Sequence, residues 1–229
     1  MIRIFDRNMF IMLIAVMMGV IIVTYFIADI QRQTQIEDLE TEHITEIGNI
    51  HERNENFTDH FLQGSVKMDA AREQREVANY HFDFALFWYN TALRNYNESY
   101  ITNCCSNCSS AMEQYLISYE NFNLSKPLFI KASTYTNSSK YLEILRFYQL
   151  FAESGKNITL LRYQASQYLQ HAAQNLSAGD LTNVSILMEL FNDTILMYEE
   201  QLGGYDDYKG QIDDFLFFSS IREDYEGLE

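Results

Sequence analysis

One proline, Pro127, and nine glycines are spread over 229 residues. A β-sandwich or barrel needs turn residues every few positions, and collagen-like or Pro-rich chains need far more of both. Almost nothing here stops a helix once it has started. The expected fold class is therefore all-α, with long antiparallel helices and αα-hairpins. Apolar residues make up 47 % of the chain, enough to bury a core rather than stay disordered.

The first apolar run sets the expected topology. Residues 9–28 are 20 residues without a charge, and a helix of that length spans roughly 30 Å, the thickness of a bilayer core. A cleaved signal peptide has a shorter apolar region and a small-residue cleavage site. Here Tyr25, Phe26 and Ile27 lead into Asp29, with Ala28 the one small residue near the end. Arg3 and Arg7 precede the run, against Asp6; Asp29, Glu37, Asp38, Glu40, Glu42 and Glu46 follow it, against Arg32. The positive-inside bias then predicts a cytoplasmic stub (1–8), a single-pass signal anchor (9–28), an extracellular helical-bundle domain (29–222) and an acidic tail (223–229). The expected location is the cell membrane, with the bulk of the chain outside.

Asn-x-Ser/Thr occurs at Asn56, Asn97, Asn107, Asn123, Asn137, Asn157, Asn175, Asn183 and Asn192. With 17 Asn and 28 Ser plus Thr in 229 residues, chance predicts roughly two such sequons. All nine follow the apolar run, on the side where glycosylation takes place. Lys plus Arg number 16 and Asp plus Glu 32, a net charge of −16. That balance disfavours a nucleic-acid partner, which requires clustered cations. An acidic, sequon-rich, single-anchor chain with three cysteines resembles archaeal cell-surface proteins in style, without any family motif.

Beyond the anchor, Ile36, Leu39, Ile44, Ile47, Ile50, Phe57 and Phe61 recur near a 3.6 period. That spacing predicts a helix continuing from the anchor and packed in a bundle. Gly64 and Ser65 read as a first turn. Residues 68–96 read as a second helix, apolar all round from Tyr80 to Tyr89 and so expected at the centre of the bundle, with an aromatic ligand groove or a patch lying on the membrane as the alternative. Residues 97–110 read as a polar loop, and residues 112–122 as a short helix. Pro127 is placed at the start of the next element. Residues 132–139 read as an interruption, followed by a helix ending near Gly155. Leu161, Ala165, Tyr168, Leu169, Ala172 and Leu176 form one stripe. Leu181, Val184, Leu187, Met188, Phe191, Ile195, Tyr198 and Leu202 form a second. Ala178-Gly179-Asp180 lies between them as a glycine stop and an aspartate N-cap, which makes an αα-hairpin. This pair resembles the helix pairs of tetratricopeptide-type repeats over about 40 residues, without the 34-residue repetition that defines a solenoid. Gly203 and Gly204 read as a break before a last helix over 206–222.

Candidate chemistry is sparse. Cys104, Cys105 and Cys108 sit together in NCCSNCSS. An extracellular setting favours a disulfide. Three thiols leave one over, so a local bridge with a spare thiol, an intermolecular bridge, a metal ligand set and a redox pair all stay open. A structural zinc site needs a fourth ligand. Glu40-x-x-His43 is half of a di-iron ligand pattern whose second half is missing, which leaves solvated helix surface as its reading. Asp206-Asp207 and Asp213-Asp214 lack the alternation of a calcium loop. No Gly-rich phosphate loop, nucleophile elbow or Ser-His-Asp order is present. The expectation is thus a binding, scaffold or accessory subunit, not an enzyme, without a cofactor, held by the membrane through 9–28 and joined to a protein partner or a second copy. A ligand-binding sensor-like module that signals through a partner subunit is the alternative, and a thiol or metal redox protein a remote one. The sequence specifies no small-molecule ligand.

Overall fold

The computed structural model describes the backbone of residues 7–215, and the side chains at 17–18 and from 23 onward. The described chain is all-α: α1 (Arg7–Arg94), α2 (Glu98–Ser133), α3 (Ser139–Ser177) and α4 (Leu181–Asp213). It divides into two compact units, residues 1–52 and residues 53–229.

In the first unit, α1 carries Ile36, Leu39, Ile44, Ile47 and Ile50 exposed. The expectation that this stretch packs in a bundle is corrected: side-chain burial begins at Asn56 and Phe57. Thr34, Thr41 and Thr45 turn their hydroxyls back to the carbonyls four residues earlier, which lets these β-branched residues sit in an exposed helix. Among the described residues, no helix is long and apolar enough to cross a membrane. Most side chains of the 9–28 run lie outside the described ones, as do the tail 223–229 and the end of the helix expected over 206–222.

The second unit is an up-down-up-down arrangement of four helices. Its connections are residues 95–97, 134–138 and 178–180, and connections this short place successive helices side by side and antiparallel. Ring contacts tie α1 to each of the others. Phe61 meets Phe129 of α2 and Tyr148 of α3, and Phe82 stacks on Phe191 of α4.

The register is heptad-like. Buried residues of α2 fall at Ile101, Cys104, Cys108, Ala111, Tyr115, Ser118, Phe122, Ser125, Phe129 and Ala132. That is spacing of three and four in strict alternation, the pattern of knobs-into-holes packing. Every seventh position is small: Cys104, Ala111, Ser118, Ser125 and Ala132 in α2, and Ala71, Ala78, Ala85 and Ala92 in α1. Small residues on facing seams let the backbones approach. Ser118 Oγ reaches across to donate to the Ala71 carbonyl at 2.7 Å.

Several expected breaks are corrected by this packing. Residues 97–110 are not a loop: only 95–97 lie outside helices, and α2 runs on through Pro127. Its cysteines and serines are seam residues, so their polarity does not mark a turn. Gly64 and Gly155 do not end helices. Each is a hole for a ring: a Cβ on Gly64 would come within 2.9 Å of Phe129, and one on Gly155 within 2.6 Å of Phe122. Gly203 and Gly204 lie inside α4, held between buried Tyr198 and Tyr205. The region from Tyr80 to Tyr89 is two-sided rather than central. Phe82, Ala85 and Tyr89 are buried, whereas Tyr80, Phe84 and Phe87 are exposed.

The connections hold the expected caps. Gly179 has φ +74°, the left-handed conformation that glycine adopts without a Cβ penalty. Around it Asp180 N–H donates to the Asn175 carbonyl and Gly179 N–H to the Leu176 carbonyl, the paired bonds of a Schellman motif. Asp180 then caps α4, accepting from Asn183 N–H at 3.1 Å. Asn97 caps α2, accepting from Ser99 N–H at 2.9 Å. Glu153 of α3 joins Lys156 at 2.8 Å and reaches Lys126 of α2 at 3.1 Å. These ammonium groups hold its carboxyl below the usual range.

Candidate functional site

The three cysteines lie on one turn of α2, and all are free thiols in the structure. Cys104 and Cys108 occupy consecutive seam positions in the apolar cluster with Tyr89, Ala92, Leu169 and Ala172. Cys105 turns toward α3, its Sγ 3.9 Å from the Gln170 carbonyl, while Gln170 Nε2 donates to the Cys105 carbonyl at 3.1 Å and to Ser109 Oγ at 2.7 Å. Burial pushes the Cys105 thiol up to about 11. A hydrogen bond with Cys104 and burial push Cys108 up as well. Thiolates are the reactive form, so these shifts make inert thiols. A disulfide needs Cβ atoms about 3.8 Å apart, whereas helical neighbours three or four residues apart stand about 5–6 Å apart. Forming a local bridge therefore requires α2 to unwind at this turn.

These thiols give a direct test. Alkylation at pH 8 is expected to be slow on the folded chain and complete at three thiols in urea without reductant. A single labelled thiol in urea would instead show a disulfide. The raised Cys105 value has a sign for stability too. The folded thiol stays protonated while the unfolded one ionises above about pH 9, so this contribution is complete below pH 9 and is lost as pH climbs toward 11.

No sequon asparagine is buried. Asn97, Asn123, Asn137, Asn157, Asn183 and Asn192 are exposed; Asn56, Asn107 and Asn175 are half-buried. Asn107 Oδ1 lies 3.3 Å from His81 Nδ1. The hydroxyls that complete three sequons are in the core: Ser125, Thr159 and Thr194, each bonded to a carbonyl of its own helix. A glycan at Asn123, Asn157 or Asn192 would therefore have to be added before the bundle closes. Asn97 is both sequon and cap. Asn97→Asp keeps the acceptor oxygen and removes the glycan site, whereas Asn97→Gln removes both. The Gln variant is expected to melt lower, by about 1 kcal/mol of stability, and the Asp variant to stay near the parent.

Glu40 and His43 are exposed on α1, and Asp206, Asp207, Asp213 and Asp214 are exposed on α4 and at its cap. Among the described residues no three His, Cys, Asp or Glu side chains are grouped to hold a metal ion.

Two features depart from the leading sequence expectation. The first is a stripe on the outer face of α1: Val77, Tyr80, Phe84 and Phe87, all exposed. The Tyr80 and Phe84 rings stand 4.7 Å apart, and Phe87 meets Trp88 edge-on at 5.1 Å. The helical spacing is legible in the sequence, with core as the leading expectation and an aromatic patch as its alternative; the register with the other helices decides which rings face outward.

The second is a polar layer through the middle of the bundle. The core consists of two apolar clusters, and at the boundary each helix places a polar residue on its seam: Arg75, Ser118, Arg162 and Thr194. Ser118 and Thr194 are satisfied by carbonyls. The Arg75 guanidinium lies over the Tyr205 ring at 4.3 Å. That of Arg162 lies over Tyr198 at 4.0 Å and Phe82 at 4.6 Å. Beside them the Tyr115 hydroxyl donates to Asn79 Oδ1 at 2.6 Å. Burial raises its pKa and both guanidiniums oppose that rise, Arg162 the more strongly. A single charge on a helix reads as surface until the seam register is known.

No protein-family model, curated protein or solved structure matches the chain.

Proposed function

We propose that this chain is a membrane-anchored, N-glycosylated helical protein whose bundle lies outside the cell and acts as a binding, scaffold or accessory subunit. The observation that carries the binding role is the exposed aromatic stripe of Val77, Tyr80, Phe84 and Phe87 on α1. Rings at helical spacing on an outer face form an apolar surface that water solvates poorly, and surfaces of this kind mark interaction sites. Location is supported by the uncharged run 9–28, the charge bias around it and the nine sequons beyond it. The occupant is a protein partner or a second copy of the chain.

The test is isolation of the native protein from its own membranes in mild detergent after cross-linking, beside a Phe84→Glu/Phe87→Glu double variant. A stoichiometric partner or self-associated species is expected for the parent and not for the variant. A lone monomer in both would refute the binding role.

A further inference from the structure

We infer that the polar layer at the middle of the bundle is a binding site for a small oxyanion, a carboxylate or a phosphate, held by Arg75 and Arg162. Both guanidiniums are on seams, one on α1 and one on α3, at the same boundary between the two apolar clusters. Nε and Nη1 of Arg75 and Nε of Arg162 are buried and have no hydrogen-bond partner. Neither side chain has a carboxylate within ion-pair distance among the described residues, although the chain carries 32 Asp and Glu against 16 Lys and Arg. Buried donors are nearly always satisfied, and buried charges nearly always paired. Ring faces stabilise the cations but accept none of these N–H bonds well. Each arginine is half-buried as a residue, with these donor atoms on its enclosed side.

An oxyanion answers each of these observations. It accepts from several guanidinium N–H groups at once through charge-assisted bonds. It neutralises cations that no side chain neutralises. The surrounding Phe82, Tyr198 and Tyr205 rings lower the local dielectric, which strengthens those bonds. The proposal does not depend on the anchor or the glycans and stands apart from the proposed partner surface.

The test uses the full chain in detergent, titrated at constant ionic strength with sodium succinate, acetate or inorganic phosphate against sodium chloride. The readouts are melting temperature and titration calorimetry. A ligand that binds only the folded state raises the melting temperature in a saturable way. The expected result is such a rise for at least one oxyanion and none for chloride. Succinate and phosphate distinguish a carboxylate from a phosphate site. Arg75→Met and Arg162→Met are each expected to weaken binding roughly tenfold or more, the effect of losing a charge-assisted bond. Arg72→Met, at an exposed pair with Asp69, leaves it unchanged. If a Met variant fails to fold, Arg75→Lys and Arg162→Lys keep the charge and remove the planar fork, and are expected to weaken binding as well. The absence of any saturable response in the parent, or equal responses in the parent and folded Arg75 and Arg162 variants, would overturn the assignment.

Discussion

Replacing Phe122 by alanine is expected to cost about 3–5 kcal/mol of folding stability, the range for large aromatic truncations in close-packed cores. Phe122 is fully buried on α2. Its ring meets Phe151 of α3 and Tyr205 of α4 edge-on, each at 6.4 Å between centroids. It also fills the space left by Gly155. One side chain therefore links three helices, and the surrounding rings are too large to collapse into its place. A typical domain is stable by only about 5–15 kcal/mol, so this variant loses a large share of the total. A urea midpoint for Phe122→Ala close to the parent's would show that α2, α3 and α4 do not meet at this ring.

The converse change, Gly155→Leu, is expected to destabilise by about 1–3 kcal/mol or more through overpacking. Glycine inside a helix is ordinarily unfavourable by about 1 kcal/mol against alanine, so on propensity alone any replacement stabilises. Here a Cβ would lie 2.6 Å from the Phe122 ring. That ring has no room to withdraw, because Phe151 and Tyr205 stack on one another behind it at 4.4 Å. The two residues are therefore coupled. Gly155→Leu made together with Phe122→Ala is expected to cost less than the sum of the single changes, because the new side chain occupies the space vacated by the ring. Additive effects in this double-mutant cycle would contradict the contact.

The elements that sequence made legible are those whose signals do not depend on partners. The Gly179–Asp180 turn announces itself through backbone chemistry, since a left-handed residue and an N-cap are needed wherever the chain passes from one helix to the next. The 132–139 interruption is legible for a similar reason, through its cluster of short polar residues. The scarcity of glycine and proline correctly indicates an all-α chain. Elements set by packing were misread. Residues 97–110 look like a loop because Asn, Ser and Cys favour turns when exposed, yet Cys104 and Cys108 serve as small seam residues in α2. Gly64 and Gly155 look like stops because a sequence does not show which aromatic ring comes to rest on them. Gly203 and Gly204 look like a break because the buried tyrosines on either side exert their hold only through α1, α2 and α3. A search of residues 101–132 for alternating three- and four-residue spacing, blind to polarity, would have exposed the seam.

The candidate sites divide in the same way. The nine sequons are a local pattern and were legible at once. Their excess over chance has a second source, however, because Ser125, Thr159 and Thr194 are core residues with a packing role of their own. The arginine layer was invisible: Arg75 sits among Arg72, Glu73 and Glu76, and only the register of four helices reveals that its donors point inward without an acceptor. The aromatic stripe is visible in the sequence, but not which of its rings are core and which are patch, since Tyr80 and Phe82 differ in exposure through register alone.

Our proposal is that this helical bundle is held outside the cell by a single span at residues 9–28. Its most direct test is protease treatment of intact cells expressing the full chain with an epitope tag at each end, followed by carbonate extraction of the membranes. The account predicts that the C-terminal tag is removed from intact cells, that the N-terminal tag is protected until the membrane is opened, and that the protected fragment stays in the carbonate pellet. A chain released by carbonate, or one whose C-terminal tag survives until the cells are broken, would contradict it.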